Sequence, residues 1–107
     1  MMQPANTVSS YSTDEYAAQA TFVRMRISGH LGADYAEFVA GRAAWLSVSG
    51  WIANVAPGQA EVVAAGPDVL VGALEMACML GPSDALVETI EIEMVHGPVP
   101  VGFVVRT

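Results

Sequence analysis

Two stretches with helical spacing each follow a strand-like run, and a tight Pro57-Gly58 turn sits between them. That order leaves few ways to bury every apolar face. Residues 22–28 alternate cleanly: Val23, Met25 and Ile27 point one way, and Arg24, Arg26 and Ser28 the other. This is the pattern of a half-buried strand. Residues 29–34 read as a glycine-containing loop, with Asp34 placed to cap the next helix. Residues 35–46 then carry Tyr35, Phe38, Val39, Ala43 and Leu46 at inward helical spacing. Residues 50–56 and 60–65 flank the Pro57-Gly58 turn as a hairpin. Gly66-Pro67-Asp68 opens the second helix, with the proline near its first turn, and Gly81-Pro82 ends it. Residues 86–95 predict a fourth strand, in which Ile90, Ile92 and Met94 alternate with Glu91, Glu93 and Val95. Residues 102–106 predict a last short strand.

The order strand, helix, strand, strand, helix, strand predicts an α+β, ferredoxin-like βαββαβ sandwich. Its antiparallel sheet carries both helices on one face and leaves the other open. Residues 1–19 are rich in Ser, Thr, Ala and Gln, without apolar periodicity, and predict a flexible tail. The folded domain is then 20–107, long enough to bury a core without disulfides or metal. A formal net charge of −7 argues against nucleic acid and against anionic membrane surfaces, since both need a basic footprint. No apolar run reaches the ~18 residues of a membrane span. No secretion signal is evident, and a cytoplasmic setting is expected. Cys78, the single cysteine, sits among apolar helical neighbours and predicts an inert core thiol. Glu91 and Glu93 share a face, but no His or Cys joins them at ligand spacing. They predict a defended strand edge, and neither a metal nor a cofactor is expected.

Five short motifs, in order, carry a resemblance. Gly50-Trp51-Ile52-Ala53-Asn54 follows the first helix. Gly58-Gln59-Ala60-Glu61-Val62 returns from the hairpin, and Gly66-Pro67 opens the second helix. Gly81-Pro82-Ser83-Asp84-Ala85-Leu86-Val87 follows that helix, and Phe103-Val104-Val105-Arg106 falls in the last predicted strand. Over nearly all of residues 22–107 the sequence resembles the acylphosphatases, small ferredoxin-like enzymes that hydrolyse carboxyl phosphates without metal or covalent intermediate. The resemblance implies that residues 29–35 (Gly29, His30, Leu31, Gly32, Ala33, Asp34, Tyr35) form the anion-binding loop, and that Asn54 positions the attacking water. It also implies an arginine at the end of the loop. The span from Gly29 to Trp51 is one residue shorter than the family's pattern; with that gap placed in the loop, Ala36 stands at the arginine position, and with no gap in the loop, Glu37 does.

Phosphoryl transfer is carried mainly by positioning and charge stabilisation, and arginine suits that work because its planar fork stays charged and binds two oxygens. Removing a preorganised donor commonly costs on the order of 10²–10³ in rate. Loop amides near a helix N-terminus still make a general anion site, so phosphate or another small anion is an expected ligand. Asp34, Glu37 and the net charge oppose it. His30 is the candidate substitute charge.

The second helix is expected to bury Leu70 or Val71, Leu74, Ala77 and Cys78, leaving Val69, Met76, Met79 and Leu80 outside. Trp45 joins them on the first helix. An apolar, methionine-containing exterior predicts a partner surface, with a homodimer through the helix layer as the leading reading and cover by the N-terminal tail as another. Three functions follow. The leading one is an acylphosphatase-like protein with a degenerate loop, inactive or very weak, that works by binding a partner or itself. The second is a divergent acylphosphatase using Asn54, the loop amides and His30. The third, by fold analogy, is a small-ligand-binding regulatory domain.

Overall fold

The computed structural model describes residues 20–106. Seven elements follow in chain order: β1 (Ala20–His30), α1 (Tyr35–Leu46), β2 (Ser49–Ala56), β3 (Gln59–Pro67), α2 (Asp68–Leu80), β4 (Leu86–Met94) and β5 (Phe103–Arg106). They form one sheet in the order β4-β1-β3-β2-β5. The first four strands pair antiparallel, and β5 adds itself parallel to β2. This is the expected βαββαβ arrangement, made a mixed sheet by its last short strand. The flexible tail expected over 1–19 lies outside the described residues. Among the described residues no helix is long and apolar enough to cross a membrane.

The alternation of β1 decides which face is covered. Val23, Met25 and Ile27 are buried, while Arg24 and Arg26 lie on the opposite, open face. Arg24 meets Glu61 of β3 through Nε at 3.1 Å, off the axis of a true hydrogen bond, and Arg26 meets Glu93 of β4 at 3.5 Å. Glu93 thus defends an edge strand and also holds an arginine. On the covered face, Ile52 of β2 and Val62 of β3 meet Val39 and Ala43 of α1 and Val71, Leu74 and Cys78 of α2 in one core. Each fully buried branched side chain contributes roughly 1.5–3 kcal/mol. Phe38, Leu46 and Leu70 pack against this core only in part.

The helix ends differ from expectation in detail. Asp34 stands at the α1 N-cap but makes no side-chain cap bond. Pro67 precedes α2 as its N-cap residue, and Asp68 is the first helical residue. Asp68 instead accepts from the Thr21 hydroxyl at 2.9 Å, tying the start of α2 to the start of β1. Buried Tyr35 donates its hydroxyl to the Cys78 carbonyl at 2.6 Å, which pins α1 to the last turn of α2. Burial pushes the Tyr35 phenol above its ordinary range and the Cys78 thiol up to about 12.

Candidate functional site

β1 runs antiparallel to β3, with Ser28 opposite Gln59. The end of β1 and the β2–β3 turn therefore meet at one end of the sheet, and the Gly29 amide donates to the Gly58 carbonyl at 3.0 Å across the junction. Both register irregularities of the sheet fall here, one between Ser28 and Gly29 and one between Asn54 and Ala56. Bulges of this kind bend a strand and re-aim its side chains. The result is an open cavity of about 320 Å³ lined by Leu31, Gly32, Asn54 and the Pro57-Gly58 turn.

The loop expected over 29–34 is shorter in fact. Gly29 and His30 still belong to β1, paired with Val87 and Leu86 of β4. The strand continues because β4 offers it a partner that the sequence does not reveal locally. Gly29 has φ +149°, and a side chain there would run into the Leu86 carbonyl. Leu31 is buried, and Gly32, Ala33 and Asp34 are exposed. Gly32 takes φ +83° with the Asp84 carboxylate beside it: a Cβ at Gly32 would sit 3.2 Å from Asp84 Oδ2.

The predicted residues divide accordingly. Gly32 and Asn54 come together at one cavity. His30 is exposed and outside its lining, and Tyr35 turns into the core. Ala36 is 9 % exposed and belongs to the core cluster; Glu37 is exposed. None of the four arginines lines this cavity. Arg42 lies over the Phe38 ring at 5.2 Å and Arg106 over the Trp51 ring at 4.3 Å. Arg26 lines an adjoining cavity of about 450 Å³ on the open face, which shares Val55 and Gln59 with the first, and it is flanked there by Glu61 and Glu91. Ser28 and Thr89 hydroxyls bond to each other in its wall.

Sequence reasoning missed Asp84. It was visible only as an unassigned member of the 81–87 motif, and its approach to Gly32 depends on how β4 returns beside β1. A glycine-containing loop before a helix suits an anion, but this one carries exposed Asp34 and has the Asp84 carboxylate beside Gly32.

No family model matches the chain. Curated relatives do. It is 35 % identical over 80 residues to an acylphosphatase of Rhodospirillum rubrum, covering 74 % of this chain and 88 % of that protein. It is 38 % identical over 80 residues to an acylphosphatase of Rubrobacter xylanophilus, covering 74 % and 73 %. The solved acylphosphatase of Coxiella burnetii superposes with a TM-score of 0.79 at 27 % identity, over 86 % of this chain and 98 % of that one. By these relationships the chain belongs to the acylphosphatase family.

Proposed function

We propose that this acylphosphatase-family domain hydrolyses acyl phosphates very weakly or not at all, and works through association of its helix layer. The observation that carries this reading is the absence of any arginine from the cavity that gathers Gly32 and Asn54. The residue that the resemblance aligns with the missing arginine, Ala36, is packed in the core. The alternative alignment puts exposed Glu37 there, which repels the ligand. Loop amides and Asn54 alone can orient a phosphoryl group and a water. They leave the charge that develops on the phosphoryl oxygens without a fixed counter-charge. The partner surface supporting the second half is apolar: Trp45 is 81 % exposed, and Val69, Met76, Met79 and Leu80 are all more than half exposed.

The test is turnover of benzoyl phosphate by the natural chain and by Ala36→Arg and Glu37→Arg, with circular dichroism confirming that each variant is folded. Glu37→Arg guards against a buried arginine at position 36 that fails to fold. The expected outcome is near-background turnover by the natural chain and a gain on the order of 10–10² in one variant, at or below the lower end of the 10²–10³ that a fully preorganised donor supplies. Turnover by the natural chain well above background overturns the proposal. It favours the divergent-enzyme reading, whose supporting observation is that Asn54 and Gly32 share one cavity; Asn54→Ala then abolishes the activity.

A further inference from the structure

β4 and β5 are the two outer strands of the sheet, so the segment joining them must pass β1, β3 and β2. The crossing covers four inter-strand spacings, about 19 Å. Nine Cα steps from Met94 to Phe103 span up to roughly 30 Å, so residues 95–102 make it with slack. They pass over the open face. Residues 95–100 contribute to a cavity of about 380 Å³ whose other wall is Phe22 of β1, Val63 of β3 and Trp51 of β2. These three share that face, because their strand neighbours Val23, Val62 and Ile52 are in the core. The connecting segment therefore forms one wall of this open cavity.

The charged and titratable lining is Arg24, Arg106 and His96, with no carboxylate. On a chain of net charge −7 with four basic residues, this places two of the four in one cavity. Arg24 is fixed by Glu61 at its Nε. The Arg106 guanidinium lies over the Trp51 ring at 4.3 Å from the centroid. Stacking occupies the flat face of a guanidinium and leaves its N–H donors, which lie in the plane of the group, directed sideways. An aromatic and apolar wall beside in-plane cationic donors suits a flat ligand with an acidic group at one end. The volume lies at the small end of the range for ligand sites, enough for one or two fused rings. The cavity is also separate from the one at Gly32: Phe22 and Gly29 are seven residues apart along β1, about 23 Å.

We propose that this cavity binds a planar aromatic molecule carrying one anionic group, its ring against the Trp51 wall and its charge on Arg106 and Arg24. The probe is 2-naphthoate, added to the nitrogen-15-labelled full chain and followed through the indole N–H signal of Trp51. Trp45→Phe supplies the assignment. The expected result is a saturable Trp51 shift, with the neutral 2-naphthamide binding at least ~10-fold more weakly, as a lost charge-assisted contact demands. Arg106→Gln is expected to weaken binding by a similar factor; its exposed position on the outer strand keeps the fold intact. Arg24→Gln, on another strand, is expected to weaken binding too. Absence of a saturable Trp51 shift overturns the proposal, and so does equal affinity for the amide or undiminished affinity in both arginine variants. A Trp51 shift saturated equally well by inorganic phosphate also overturns it, since the ring would then contribute nothing.

Discussion

At Gly29 one hydrogen atom in place of a side chain decides how two strands meet. The Leu86 carbonyl occupies the space a Cβ would need, the backbone has a positive φ, and the amide is committed to the Gly58 carbonyl. Gly29→Ala must therefore push β4 away or break the junction with the hairpin. The expected loss is roughly 3 kcal/mol or more, combining backbone strain with a clash that cannot relax, and chemical denaturation of both proteins measures it. The glycine itself was legible as the first position of a phosphate-type loop. Its steric reason was not, because Leu86 is distant in sequence and arrives only through the pairing of β4 with β1. Ala36 and Asp84 teach the same lesson from opposite sides. That residues 29–41 hold no arginine could be read from the chain; the carboxylate that stands beside Gly32 could not.

At the scale of elements, α2 is unusual in being apolar on both sides. Its inner face buries Val71, Leu74 and Cys78, and its outer face exposes Val69, Met76, Met79 and Leu80. Helical spacing assigned Val71, Leu74 and Cys78 inward and the apolar outer residues outward, because a 3.6-residue repeat leaves little freedom once Leu74 and Cys78 are placed inward; Ala77, also expected inside, is only half-buried because it lies at the border of the two faces. Single exposed apolar residues need no explanation, but a contiguous apolar helix face suggests an interface. If the helix layer is a dimer surface, the natural chain shows a concentration-dependent mass in analytical ultracentrifugation. Met76→Asp is then expected to weaken the dimer at least ~10-fold by placing an unpaired charge in the contact, with the monomer fold unchanged. A monomer at the highest soluble concentration rules out the dimer and moves attention to another partner for this face.

At the scale of the whole molecule, sheet and helices close over a core in which Cys78 has no solvent exposure. Its thiol is pushed up to about 12, burial being the main cause, so the reactive thiolate is scarce in the native state. Labelling by a water-soluble thiol reagent at neutral pH is expected to be at least ~10³-fold slower in the native protein than in denaturant, tracking the small unfolded fraction. Rapid native labelling would show that α2 opens independently of the rest. The element order, the alternation of β1 and β4, most of the covered faces of the two helices and the motifs of the family were written in the sequence, since periodicity and turn residues act between near neighbours. The tertiary structure alone decided what meets across distance: β1 extended through His30 by pairing with β4, Asp84 set against Gly32, the arginines withdrawn from the Asn54 cavity, and a crossing segment folded over Trp51 and Arg106. The pairing of His30 with Leu86, the approach of Asp84 to Gly32 and the cover over Trp51 join residues far apart in the chain, and a local pattern can specify that a face is apolar or charged without specifying which other face it will touch.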